Sequence, residues 1–117
     1  MSFTLSPTQP FAFLDTQTAT TASGILLLRG ECERFTVVLQ STGTTSGGTV
    51  IIEEAYYDPN GPVYSGTWSQ LQSVNASSFT GGTQIAYHFV GSFWAVRVRP
   101  GTTITGGGSV SAFGWGN

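Results

Sequence analysis

Apolar and polar residues alternate along most of this chain with a period of two, the spacing of strands that bury one face. Residues 34–41 put Phe35, Val37 and Leu39 on one side. Residues 49–57 put Val50 and Ile52 on one side and Ile51, Glu53, Ala55 and Tyr57 on the other. Residues 84–90 set Ile85, Tyr87 and Phe89 against Ala86, His88 and Val90. Two shorter strands are predicted over 25–29 and 67–74, the second carrying Trp68. Between them lie turn signals, TGTTSGG at 42–48 and DPNGP at 58–62, where proline fixes φ and Asn-Gly accepts positive φ. No segment has a helical period. The pattern predicts an all-β protein, an antiparallel β-sandwich of seven or eight strands.

The last quarter, residues 93–115, reads as a closing hairpin. Its first arm points Trp94, Val96 and Val98 one way and Phe93, Ala95, Arg97 and Arg99 the other. Its second arm opposes Val110 and Ala112 to Ser111, Phe113 and Trp115. A lone hairpin is marginal in water, so its apolar face needs a second sheet. The other face combines Phe93, Phe113 and Trp115 with Arg97 and Arg99. That is too aromatic a surface for solvent alone and marks a subunit or partner interface.

Residues 1–23 form a distinct segment of Thr, Ser and Gln in which Pro7 and Pro10 favour extended backbone. Phe11, Phe13 and Leu14 within it fit an arm that orders against a neighbour, or the first strand of the body, and the two readings are compatible. On the first, the chain divides into an extended N-terminal arm, 1–23, and a sandwich body, 24–117, with Phe11, Phe13 and Leu14 as arm contacts. The opening residues lack the basic start and apolar core of a signal peptide. The longest aliphatic run, 25–28, is far too short to cross a membrane.

Composition then narrows the function classes. Charged residues are 9% of the chain, against about 25% in a typical soluble protein. Lysine is absent; the basic residues are Arg29, Arg34, Arg97 and Arg99. Such a surface cannot build the basic footprint of a nucleic-acid binder. At a net charge of −2, self-repulsion is weak, and a Ser/Thr/Gly surface is cheap to desolvate against another subunit. The single cysteine, Cys32, excludes an intrachain disulfide and reads as a half-buried strand residue.

The catalytic inventory is thin. His88 is the sole histidine and has no nucleophile motif beside it, which predicts a strand residue facing solvent or a subunit contact. Glu53 and Glu54 are adjacent on a strand and point to opposite faces, so they cannot flank one bond. Glu31 and Glu33 share a face and suit pairing with Arg34, Arg97 or Arg99. One His, one Cys and scattered acids make no metal cluster, and no cofactor motif is present. The sequon at Asn75, Ala76 and Ser77 lacks a secretory context. Tyr56, Tyr57, Tyr64 and Trp68 are candidates for a sugar-stacking platform. The expectation is a non-enzymatic protein without metal or cofactor.

The pieces TVVLQ, TGTTSGG, TVIIEEAYY, SGTWSQL, FWAVRVRPGTTITGG and GSVSAFGWG, spread over 36–116, together resemble small β-sandwich structural proteins of tailed bacteriophages. The nearest analogy is to capsid decoration, or cement, proteins. The resemblance implies a jelly-roll-like sandwich and a homotrimer attached to the exterior of the virion capsid. Its partner would be the major capsid protein, with no nucleic acid or membrane involved. It implies a function of binding neighbouring capsid subunits and stiffening the shell, with Phe93, Arg97, Arg99, Phe113 and Trp115 at the body interface. Short fibre and tail modules look similar, which leaves a glycan- or receptor-binding role as the alternative.

Overall fold

The computed structural model describes residues 10–30, 32–58 and 66–116. Among these residues eight strands follow in chain order: β1 (Phe11–Gln17), β2 (Gly24–Leu27), β3 (Arg34–Thr42), β4 (Gly47–Ala55), β5 (Ser69–Asn75), β6 (Gln84–Val90), β7 (Ala95–Thr105) and β8 (Ser109–Gly116). Among the described residues the only helical piece is one 3-10 turn, Ala76–Phe79. The strands form two four-stranded antiparallel sheets, sheet A in the order β1-β8-β3-β6 and sheet B in the order β2-β7-β4-β5.

The pairings nest. The first strand pairs with the last, β2 with β7, β3 with β6 and β4 with β5. The chain is thus one long antiparallel ribbon, rolled so that β8 also meets β3 and β7 also meets β4. This wrapping is the jelly roll, and the sandwich expected from the alternation is present.

The closing hairpin is not. β7 and β8 lie in different sheets, because each already has both edges filled: β7 by β2 and β4, β8 by β1 and β3. Gly106 and Gly107, at φ 109° and 93°, carry the chain across from one sheet to the other. A proline inside a central strand would normally break the ladder. Pro100 is accommodated at a bulge: Val50 faces Pro100 and Thr49 faces Thr102, so Gly101 has no opposite residue.

The inner faces are those the alternation predicts. Phe35, Val37 and Leu39 of β3 lie against Val50 and Ile52 of β4 and Val96 and Val98 of β7 in one core. Phe79 of the 3-10 turn is fully buried at one end. That turn is fastened by buried hydroxyls: Thr45 donates to the Ala76 carbonyl at 2.9 Å, and Ser41 donates to the Phe79 carbonyl.

The division at residue 23 does not match the structure. Phe11–Gln17 is a full strand of sheet A, with Phe13 and Leu14 buried and Phe11 packed against them. An arm reaching a neighbour would have left these three exposed. Instead their rings run inward: Phe11 to Phe13 at 5.0 Å, Phe13 to Phe35 at 6.0 Å, and Phe35 to Phe93 at 6.3 Å. Residues 1–9 of the expected arm lie outside the described residues.

This ring chain reverses the usual amphipathicity of β8. Inward positions opposite Phe35, Val37 and Leu39 are Gly116, Gly114 and Ala112; the large Phe113 and Trp115 point outward. A Cβ on Gly114 would lie 2.6 Å from the Thr36 carbonyl oxygen and 3.0 Å from the Phe13 ring. At Gly114 the rings from β1 and β3 already occupy that volume, and at Gly116 Cys32 and Leu28 do. We therefore expect Gly114→Ala to cost about 2 kcal/mol through overpacking. A urea midpoint unchanged from the parent would refute that packing argument.

Candidate binding surfaces

The outer face of sheet B is built around one carboxylate. β4 alternates Val50 and Ile52 inward, leaving Glu53 outward after a bulge at which Leu71 has no register partner on β4. Glu53 sits directly across from Arg97 on β7, and Arg99 follows two positions along the same face. Arg97 Nε and Arg99 Nε both donate to Glu53 Oε1, at 2.8 and 2.7 Å. A longer contact of 3.4 Å joins Arg99 Nη2 to Oε2. The Glu53 side chain is 8% exposed, whereas those of Arg97 and Arg99 are 22% and 28% exposed. The Arg97 guanidinium lies 4.3 Å over the Trp68 ring, a cation–π contact that adds to its positioning.

Burial pushes the Glu53 carboxyl up, but the hydrogen bonds from Arg99 and Arg97, with their charges, outweigh it and hold the group below its ordinary 4.5. The acids expected to pair with these arginines were Glu31 and Glu33. Glu33 is an exposed residue ahead of β3, and Glu31 lies outside the described residues. Sheet register decides the matter, since β4 neighbours β7 directly. Glu54 points the other way, as expected of adjacent strand residues, and interacts with Tyr56. Its hydrogen bond and charge raise the phenol above its ordinary 10.0.

The outer face of sheet A is different in kind. Register places Trp115, Thr36 and His88 in one row, Ala12, Phe113, Val38 and Ala86 in the next, and Ser111, Gln40 and Gln84 beyond. Val90, opposite Arg34, is 82% exposed. Phe113 and Trp115 are half-buried. No carboxylate stands in these rows, and Arg34 and His88 are their ionisable groups. His88 is exposed; its Nδ1 shares a 2.9 Å hydrogen bond with the Thr36 hydroxyl.

The five body residues expected on one surface are therefore scattered. Arg97 and Arg99 face out from sheet B, Phe113 and Trp115 face out from sheet A, and Phe93 is 4% exposed in the core. A third feature lies near the start of β7. Tyr57 is 55% exposed and packs edge-on to Trp94 at 4.5 Å, while the buried Trp94 indole N–H has no hydrogen-bond partner among the described residues. Tyr64 lies outside the described residues, and Trp68 is occupied beneath Arg97. Cys32 is half-buried, just ahead of β3 rather than within it. Among the described residues no three His, Cys, Asp or Glu side chains come together as metal ligands.

No protein-family model matches this chain, and no curated protein matches it in sequence.

The Glu53 cluster yields a pH dependence with a defined sign. A carboxyl held below its ordinary value stabilises the fold above pH 4.5, and that contribution is lost as pH falls through the lowered folded value. Glu53→Gln should flatten the decline in urea midpoint between about pH 5 and pH 2 relative to the parent. Parallel declines for both proteins would show that Glu53 does not carry it.

Proposed function

We propose that this chain is a non-enzymatic virion structural protein, a decoration protein that docks on the outside of a bacteriophage capsid, assembles as a trimer and stiffens the shell. The observation that carries the reading is the outer face of sheet A. Phe113, Trp115, Ala86 and Val90 present apolar surface there around the buried Val38, with hydroxyl and amide groups between them; the one acid on this sheet's strands, exposed Asp15, stands on the edge strand β1. A β-sheet face normally turned to water alternates toward charge, as sheet B does around Glu53. Desolvating the rows that cross β8, β3 and β6 against a protein surface strands no carboxylate, so little electrostatic cost opposes the apolar gain.

The resemblance to cement proteins supplies the identity of the partner, the major capsid protein. Three-fold assembly would supply strength. Docking sites held together in one trimer bind with an avidity that no single face of this size provides. The work is done by buried area and symmetry, without bond-making.

A glycan-binding role at a fibre or tail is favoured by a separate feature, the exposed Tyr57 beside Trp94. An exposed ring braced edge-on by a second suits stacking on a sugar. The two readings use different residues and separate cleanly.

For the first, light scattering should give a trimer mass, and the protein should co-sediment with capsids and raise their melting temperature. Trp115→Glu, which places a charge in the middle of the docking face, should weaken capsid binding by about thirtyfold or more, the effect of losing one interface hot spot. Tyr57→Ala should leave it unchanged. Binding on a glycan array that Tyr57→Ala abolishes and Trp115→Glu spares would replace the capsid reading with the glycan one.

A further inference from the structure

Sheet B's ionic cluster is unbalanced. Two guanidinium groups, set on one strand face roughly 7 Å apart by strand rise, share a single carboxylate. Both approach it side-on through Nε and converge on the same oxygen, Oε1. A guanidinium has five N–H donors in a planar fork. Arg97 directs one of them to Glu53 and Arg99 directs two, one of these at 3.4 Å. Among the described residues no other acceptor engages the rest, and both side chains keep part of their surface exposed, 22% for Arg97 and 28% for Arg99. The local charge is +1, and it is held in place: Glu53 is buried, and Trp68 lies beneath Arg97.

We propose that Arg97 and Arg99 form a receptor for a carboxylate, delivered by an acidic side chain of a partner protein that docks on the outer face of sheet B. The charge selects the ligand class. One carboxylate neutralises the +1 cluster, whereas a phosphate dianion would leave excess negative charge beside Glu53. The planar, two-pronged fork matches a carboxylate's two oxygens. The apolar flank selects a protein-borne acid over a free one. Ile25, the register partner of Arg97 on β2, is 37% exposed, and Trp68 stands on the other side. Both offer contact to the methylene stem and backbone of a bound acidic residue. A carboxylate alone on a half-exposed ion pair binds weakly, so it needs those added contacts. This receptor lies on the sheet opposite the proposed capsid-docking face and stands or falls separately from it.

The test is the side-chain Nε–H signals of Arg97 and Arg99 in a nitrogen-15 NMR titration at fixed ionic strength. An oligoglutamate peptide should shift both signals saturably, while an oligoglutamine peptide and chloride should not. Acetate, matched in carboxylate concentration, should shift the same signals with weaker affinity. Arg97→Lys keeps the charge but loses the fork, and should weaken peptide binding about tenfold with the backbone amide spectrum otherwise preserved. Equal shifts with chloride would overturn the site, and unaltered affinity in Arg97→Lys would overturn the fork. Tighter binding of inorganic phosphate would overturn the carboxylate assignment. Shifts that depend on protein concentration alone would make the occupant a second copy of this chain, supplying its own exposed Asp15 or Glu33, and would overturn the heterologous partner.

Discussion

The rings of Phe13 and Phe35 lie over a stretch of β8 that has almost no side chains on its inner face, and the rest of the sandwich is arranged around that contact. β1 and β3 flank β8 in sheet A, and their phenylalanines fill the space that β8 would otherwise claim. Gly114 leaves no room for even one carbon there. Burying an aromatic side chain contributes about 1.5–3 kcal/mol, so moving two such rings to the strands on either side keeps the core apolar while freeing β8's large residues for the exterior.

That exchange links the core to the surface. A strand with aromatics inside would have glycines outside; this one has Phe113 and Trp115 outside because Phe13 and Phe35 are inside. The two outer faces then diverge. Sheet A presents ring and aliphatic surface with few charges. Sheet B concentrates Glu53, Arg97 and Arg99 on its two central strands and covers one guanidinium with an indole. In a chain with so few charged groups, placing three of them in one contact leaves most of the remaining surface close to neutral.

Period-two alternation was enough to find the strands, because it reports burial directly: Phe35, Val37 and Leu39 face inward, and Ile85, Tyr87 and Phe89 alternate as read. It also set Arg97 and Arg99 outward and separated Glu53 from Glu54. What it cannot carry is which strands adjoin. The Pro-Gly-Thr stretch after Arg99 resembles a turn, yet 95–105 is one bulged strand, and only the nesting of pairs puts β8 in the other sheet. The same blindness assigned Glu31 and Glu33 to the arginines in place of Glu53, and placed Phe93 on a surface when its ring closes the end of a core. A signal for Glu53 was available: it is a lone acid on the outward face of an otherwise aliphatic strand. For the N-terminal phenylalanines, composition left an arm and a first strand both open, and a bulge that turns adjacent Phe13 and Leu14 both inward makes the segment an edge strand.

Nesting the first strand against the last has a consequence for the order in which this molecule comes into being. β8 is the last of these eight strands to leave the ribosome, yet it is the strand that separates β1 from β3 and closes sheet A between them. Until its residues emerge, β1 has no hydrogen-bonding neighbour and β3 has only β6. Sheet A must therefore wait for β8, and non-local pairing of this kind is slow. The interval leaves two apolar strand edges open to other chains at high local concentration, as on a polysome, where a like edge is the nearest substitute. The turn residues from Thr105 to Gly108 set how soon that interval ends.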